Sequence, residues 1–288
     1  MRKFRLITGI GKEIDLTDVT VGKIFFHDPQ GLGYETEMAT RRIGSKIDIL
    51  AKRKNYPNIS GQIAFLGSEP YKQYAQFCSD ISYGNNILVY QTNAIDVYKR
   101  EVIISTLDKT EILKEGGYLD VGVEFTPLAP WYKELTLVTN PATDVDTKGL
   151  IWDVHSRWPI GFRSTREMTI VINVDSNEDS PCSFIIDGRI QNPMWSHYVN
   201  GALQATGKLN YTVPANHHLA ISNLNTIKSI LVYNSDYSNV VADVYQSSDF
   251  STKRFITLKK GANTIHVSSD NDANVKLSLE AKIYYATV

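Results

Sequence analysis

The acidic run Asp175–Ser180 places oxygen-bearing side chains where a calcium-binding loop has its first, third and fifth ligands. The pattern then departs from such a loop. Ser180 stands where the sharp turn needs glycine, and Ile186 stands where the bidentate glutamate is needed. Short polar residues between two apolar runs are typical of a hairpin turn. The sequence therefore predicts a turn at this position and no metal site.

The histidines and cysteines do not stand at spacings that bind a metal or activate a nucleophile. His217 and His218 are neighbours at the start of an apolar run, so a strand would project them to opposite faces. Cys78 and Cys182 lie far apart, which predicts free thiols in a reducing compartment. The sequence also lacks a Gly-x-Ser-x-Gly elbow. We predict no cofactor and no enzymatic activity, although a glycosidase needs only two facing carboxylates, which sequence cannot locate.

Three tryptophans are of the type that stacks on sugar rings in β-sandwich lectins, namely Trp152, Trp158 and Trp195. If they face solvent, the chain is a carbohydrate-binding module that recognises cell-wall saccharide. The other interpretation is that they close a β-sandwich core, which aromatic side chains commonly do. Both interpretations are open at this point.

Composition excludes several classes of protein. The chain has 288 residues, of which 42% are hydrophobic and 21% charged, as in ordinary folded domains. Lys and Arg number 30 against 31 Asp and Glu, so there is none of the basic excess that a specific nucleic-acid partner requires. Apolar runs are too short to span a membrane, and the charged residues near the amino terminus predict no signal peptide.

Most of the sequence alternates short apolar runs with turn-forming residues, which predicts a mainly β protein. The one predicted helix begins at Ser68 as its N-cap, has Pro70 in its first turn and ends near Ser82. Beyond residue 135, regularly spaced short strands predict an antiparallel β-sandwich.

A proline- and aromatic-rich segment divides the chain. Two prolines and two aromatic residues within six positions predict a stiff, packed corner between domains, formed by Pro127, Pro130, Trp131 and Tyr132. We place the boundary just after it, which gives domains 1–134 and 135–288.

One basic cluster interrupts the even charge distribution, and it contains Arg41, Arg42, Lys46, Lys52, Arg53 and Lys54. Apolar Ile47, Ile49 and Ala51 alternate with these charges, as in a β-hairpin arm with a charged outer face. In a domain of neutral charge, such a hairpin is either a solvated surface or a subunit-contact arm, and we predict a contact between subunits.

Several segments together resemble the distal tail proteins of long-tailed bacteriophages that infect Gram-positive bacteria. The resemblance covers most of the chain. It is carried by Val21–Phe26 with Gly31–Gly33, Ile59–Phe65 leading into the helix Tyr71–Ile81, Leu88–Tyr90, Val121–Phe125 with Pro130–Tyr132, Ile186–Trp195, and Leu258–Ile265.

This resemblance implies two β-sandwich-type domains, the first a belt domain with the one helix and the second galectin-like. The belt domains would form a homohexameric ring at the tail tip, between the tail tube protein and the tail-associated central protein. The second domain would dock receptor-binding or other baseplate proteins. The protein would belong to the distal tail of the virion, be assembled in the host cytoplasm, and have no membrane partner.

Overall fold

A computed structural model describes residues 2–20, 23–92, 96–111, 117–139, 168–224, 228–270 and 275–288. The chain divides into two compact units. The first unit comprises Met1–Lys133 and Tyr284–Val288, and the second comprises Glu134–Ile283. Trp152 and Trp158 lie outside the described residues.

The first unit contains one helix among antiparallel strands. Its elements are β1 (Lys3–Ile7), β2 (Glu13–Asp15), β3 (Ile24–Gln30), β4 (Glu35–Ile43), β5 (Lys46–Asn55), β6 (Ile59–Phe65), α1 (Pro70–Ile81), β7 (Asn86–Gln91), β8 (Val97–Lys109), β9 (Leu119–Pro127) and the start of β10 (Trp131–Thr139). Strands pair in the orders β2-β1-β7-β8 and β3-β6-β9-β8. The long β8 belongs to both rows, because its first half pairs with β7 and its second half with β9.

The core of the first unit draws on both rows of strands. Leu6 of β1, Leu88 of β7 and Val121 of β9 are fully buried in one apolar cluster. Helix α1 covers this cluster through Phe77, whose ring lies 5.6 Å from the ring of Phe65 on β6. Burying these aromatic side chains stabilises the unit by roughly 1.5–3 kcal/mol each.

The N-cap of the helix lies one residue later in the chain than predicted. The N-cap is Glu69 rather than Ser68, and no side chain caps the helix. Pro70 decides this boundary, because proline suits the first helical position and keeps the residue before it out of the helical conformation. Near the other end of the helix, the buried carboxylate of Asp80 accepts a 2.5 Å hydrogen bond from Lys12 Nζ. That bond ties the helix to the turn between β1 and β2.

The second unit consists mainly of two β-sheets, with a separate two-stranded pair. After the end of β10 it contains β11 (Met168–Val174), β12 (Ser180–Asp187), β13 (Ile190–Gln191), β14 (Met194–Val199), β15 (Ala202–Lys208), β16 (Thr212–Val213), β17 (His218–Ser222), β18 (Ser229–Tyr233), β19 (Val240–Asp243), a 3-10 helix (Tyr245–Ser247), β20 (Thr257–Leu258), β21 (Gly261–Ser268) and β22 (Lys276–Tyr285). The sheet orders are β19-β18-β17-β12-β22 and β11-β21-β14-β15. Alternate residues of β11 are buried, as a strand with one face on the core requires.

Two local features of the second unit are a tight hairpin turn and a strand that leads into a 3-10 helix. The hairpin β14–β15 was not predicted, although its turn carries the signal: Asn200 and Gly201 both have positive φ, the geometry that Asn-Gly turns favour. Strand β19 ends at Asp243. The Asp243 side chain accepts a hydrogen bond from the Tyr245 backbone N–H, and a 3-10 turn begins there.

Candidate functional site

An exposed hairpin, hereafter the arm (Glu35–Asn55), is the main surface feature of the first unit. Its strands β4 and β5 form a separate two-stranded sheet. Every residue of the arm is exposed except Lys54, which is half-buried. At its tip, Gly44 has a φ of 61° and its carbonyl accepts a hydrogen bond from Arg42 Nε. The predicted hairpin is confirmed, and each of its strands pairs on one side only, unlike a strand inside a larger sheet.

A β-bulge gives the arm one apolar face. The pairing passes from Ala39↔Ala51 to Thr40↔Ile49, so Leu50 is the extra residue. Residues opposite one another share a face, and the bulge therefore reverses the alternation along β5. As a result Ile47 and Ile49 lie on one face, and Ala51 lies on the other. The prediction that these three share a face was wrong because sequence spacing does not reveal the bulge.

The apolar face of the arm is open to solvent. Met38, Ile47 and Ile49 belong to it by their pairing, and Ile47 is 68% exposed. Leu50 in the bulge is 61% exposed. An isolated ribbon with this many exposed apolar side chains is the kind of surface that marks a protein contact.

The six basic residues divide between the two faces of the arm. Pairing places Arg41, Lys46 and Arg53 on the polar face, where Arg41 stands opposite Asp48 and Arg53 opposite Glu37. The other three are interspersed among the apolar residues, and they are Arg42, Lys52 and Lys54. The predicted single charged face is therefore wrong: one face carries charges of both signs, and the other combines apolar with basic side chains.

The root of the arm is fixed by a tight backbone approach. Gly31 has a φ of 77°, and a β-carbon there would collide with the backbone carbonyl oxygen of Asn58. The two chain segments that lead into and out of the arm therefore meet where only glycine fits.

Close to this root, His27 on β3 lies between two carboxylates. Its Nδ1 is 2.8 Å from Asp28 Oδ2 and its Nε2 is 3.2 Å from Asp120 Oδ1. Both ring nitrogens thus face acceptors, an arrangement that the doubly protonated imidazolium satisfies. Burial lowers the pKa of His27, but the hydrogen bonds to Asp28 and Asp120 outweigh it and hold the pKa above 6.5.

We expect His27 to make the stability of the first unit pH-dependent. Because its pKa is raised in the folded state, its contribution is full below the unfolded value of about 6.5 and is lost as the pH rises through the folded value. The melting temperature of the wild type should therefore fall more between about pH 6 and pH 8 than that of His27→Gln. Parallel pH profiles of the two proteins would contradict this role.

The predicted corner residues Trp131 and Tyr132 are buried at the start of β10, at 0% and 1% exposure. The Trp131 indole N–H donates a 3.1 Å hydrogen bond to the Leu32 carbonyl. Pro127 ends β9, and Pro130 immediately precedes β10. Trp131 therefore serves the core of the first unit, and its indole N–H is satisfied there.

Beside Trp131 lies a fully buried arginine that the sequence did not single out. The guanidinium of Arg100 lies 5.3 Å from the Trp131 ring and 5.1 Å from the Tyr56 ring, and its Nε donates to the Ala129 carbonyl at 2.9 Å. Nη1 and Nη2 have no hydrogen-bond partner among the described residues. Burial lowers the pKa of Arg100 to about 10, and the faces of Tyr56 and Trp131 stand where cation–π contacts favour the charged form.

Trp195 is a core residue, which corrects its prediction as a glycan-stacking residue. It is 1% exposed, and its indole N–H donates a 2.7 Å hydrogen bond to the Arg254 carbonyl. Its ring lies 5.5 Å from that of Phe184, on the other sheet, and a β-carbon at Gly207 would collide with it. The physical reason is the alternation of β14, which turns Trp195 inward. No sugar can reach a ring enclosed on this many sides.

The described residues contain no group of three or more His, Cys, Asp or Glu side chains that could hold a metal ion. In the turn between β11 and β12, Ser176 Oγ accepts a hydrogen bond from the Glu178 backbone N–H. None of the helices in the described part of the chain has the length and apolar character needed to cross a membrane.

The exposed apolar side chains of the arm are typical of a surface that contacts another protein. Comparison with known protein families gives one match. Residues 3–128 match the family model described as "Distal tail protein, N-terminal domain". The first unit therefore matches the N-terminal domain of distal tail proteins.

Solved structures share the fold over the whole length. A chain of the phage p2 baseplate in its activated conformation with calcium has a TM-score of 0.63 at 14% identity, with 100% of each chain covered. The same baseplate with strontium gives 0.62, also at 14% identity and 100% coverage of both chains. The Dit (gp 19.1) protein of SPP1 gives 0.62 at 11% identity, covering 96% of this chain and 98% of that one. No curated protein sequence matches this chain.

Proposed function

We propose that this protein is a hexameric ring hub at the distal end of the tail of a phage with a Gram-positive host. The belt domain, residues 1–134, forms the ring and joins the tail tube protein to the tail-associated central protein. The galectin-like domain, residues 135–288, docks receptor-binding or other baseplate proteins, and Pro127, Pro130, Trp131 and Tyr132 form the corner between the domains. Assembly takes place in the host cytoplasm before the protein enters the virion.

The main support for a ring is the exposed apolar face of the arm. A two-stranded ribbon is at best marginally stable in water without a third strand or a covering surface. Ile47, Ile49 and Leu50 are each at least 60% exposed, so covering them would remove a large apolar area from water. The occupant that we assign to this face is the next copy of the chain in the ring.

The charges of the arm suit a contact between like subunits. Its polar face carries Arg41 opposite Asp48 and Glu37 opposite Arg53, so it offers both signs to a neighbour. The chain as a whole has a net charge of −1, which leaves little repulsion between copies. The basic residues Arg41, Arg42, Lys46, Lys52, Arg53 and Lys54 are the proposed charged contacts of the ring.

Charge substitutions on the apolar face test the ring. We expect Ile47→Glu with Ile49→Glu to weaken each subunit contact by about 2 kcal/mol or more, because two carboxylates would have to leave water. The oligomer mass from light scattering should fall, and negative-stain images should lose their rings. Val171→Glu is the matched control, since Val171 is 63% exposed on β11 of the second unit.

Reversal of the basic residues tests the charged contacts separately. We expect the triple variant Arg41→Glu, Arg42→Glu, Lys46→Glu to form a less stable ring than the wild type. The difference should grow as the salt concentration falls, because repulsion between like charges is then screened less. An unchanged oligomer mass in this variant would remove the basic residues from the contact. A wild-type protein that stays monomeric, alone and with its tail partners, would overturn the ring itself.

A further inference from the structure

A cavity of about 220 Å³ opens on the second unit beside the 3-10 helix. Lys228 at the start of β18 lines it, and so do Lys253 and Arg254 in the segment before β20. Among the described residues, none of these three cations forms an ion pair with a carboxylate. Three positive charges around one small cavity, without an ion-pair partner among the described residues, favour an anionic ligand.

Asp249 interacts electrostatically with Arg254 but does not line the cavity. The carboxylate of Asp249 accepts hydrogen bonds from the backbone N–H and the hydroxyl of Ser251, at 2.8 and 2.7 Å. These bonds lower the pKa of Asp249, and the charges of Lys208 and Arg254 add to that effect. The carboxylate of Asp249 therefore stabilises the turn that contains Ser251. Asp249 is not among the residues that line the cavity.

Arg254 is held rigidly in place by aromatic rings. Its guanidinium carbon lies 4.2 Å from the centroid of Phe250 and 4.7 Å from that of Tyr245. Its backbone carbonyl accepts the indole N–H of Trp195, which anchors this segment to the core. A ligand would meet an arginine that is already ordered, so little conformational entropy would be lost on binding.

Two buried polar atoms beside the cavity have no hydrogen-bond partner among the described residues: Arg254 Nε and Thr252 Oγ1. Buried polar groups in folded proteins are nearly always satisfied, so this segment keeps a hydrogen-bonding capacity that a small shift of its side chains would direct to a ligand. Thr257, whose hydroxyl accepts a bond from Asn223, adds a second hydroxyl to the lining.

The remaining wall is aromatic. The rings of Tyr245 and Phe255 are stacked 6.0 Å apart, and both line the cavity. Phe250, next to them, is 54% exposed. The lining thus combines cations, hydroxyls and apolar ring surfaces, the mixture that recognises a charged sugar and not a bare ion or an apolar molecule.

We propose that this cavity binds a single phosphate-bearing sugar or polyol unit, with the phosphate between Lys228, Lys253 and Arg254. The carbon skeleton lies against Tyr245 and Phe255, and its hydroxyls reach Thr252 and Thr257. A volume near 220 Å³ accommodates one such unit. The site rests on the second unit alone, so its failure would leave the proposed ring untouched.

Calorimetric titration of the full-length protein with glucose 1-phosphate and with glycerol 3-phosphate tests the site. We expect saturable binding of at least one of them, about tenfold or more tighter than inorganic phosphate, and no binding of neutral glucose. Lys228→Gln and Lys253→Gln should each weaken the binding by about tenfold, since each removes a charge-assisted hydrogen bond. Lys260→Gln, which removes an exposed charge outside the cavity, is the matched control.

The same titrations can overturn the proposal. Equal affinity for inorganic phosphate would mean that the cavity attracts any small anion and does not recognise a sugar or polyol. Binding that survives both Lys228→Gln and Lys253→Gln would place the ligand elsewhere, and the absence of saturable binding would remove the site. Both variants change exposed side chains, so circular dichroism should show that they remain folded.

Discussion

Replacing Trp131 with alanine is expected to destabilise the first unit by about 3–5 kcal/mol. The side chain is fully buried, packs 6.0 Å from the Tyr90 ring and donates its indole N–H to the Leu32 carbonyl. The substitution would also leave the buried Arg100 guanidinium without one of its two aromatic neighbours. Losses of packing, of a hydrogen bond and of charge stabilisation would therefore act together.

Urea unfolding followed by circular dichroism measures this effect. Trp131→Phe keeps an aromatic face beside Arg100 and loses only the indole hydrogen bond and some volume, so its loss should be roughly half as large or less. Leu128→Ala is the control, because Leu128 is nearby and 46% exposed. If Trp131→Ala costs no more than Leu128→Ala, the account of this core is wrong.

Replacing Trp195 with alanine is expected to cost the second unit a similar amount, about 3–5 kcal/mol. Trp195 fills the space between the two sheets, where it meets Phe184, and it holds the backbone of Arg254. Gly207 leaves room for the ring, so the site is shaped around tryptophan. The expected loss is one of folding and not of a surface contact.

Two measurements separate the core role of Trp195 from a sugar-stacking role. In urea unfolding, Met194→Ala should be nearly neutral, because Met194 is the next residue on β14 and is 38% exposed. If Trp195 is a core residue, Trp195→Ala should show a large loss of stability in urea unfolding. Glycan titration should then show no loss of binding beyond what unfolding of the protein explains. If Trp195→Ala kept wild-type stability and lost only sugar binding, Trp195 would be a sugar-stacking residue and not a core residue.

The arm shows how far alternation in the sequence extends and where it stops. A period of two in Arg41–Lys54 was enough to predict the hairpin, because side-chain direction along a strand is a local property. The faces could not be predicted, because one bulged residue, Leu50, reverses the alternation. A bulge depends on how two strands pair, and neither strand encodes that pairing by itself.

The β14–β15 hairpin is a different case, because its signal was present in the sequence. Asn200-Gly201 is a favoured two-residue turn, and the residues on either side form strands that pair in register. Trp195 lies on the first of these strands. The Asn200-Gly201 turn therefore predicts a strand that contains Trp195, and a strand with one face on the core can bury its side chain.

The sequence by itself determined the mainly β character, the single helix, the exposed arm and the resemblance to distal tail proteins. All of these follow from short-range patterns: alternation, turn residues, helical spacing and local motifs. The tertiary structure alone decided that the arm has an apolar face, that Arg100 is buried between aromatic rings, and that Lys228 and Arg254 share a cavity. Each of these depends on contacts between residues distant in the chain, and such contacts leave no periodic trace in the sequence.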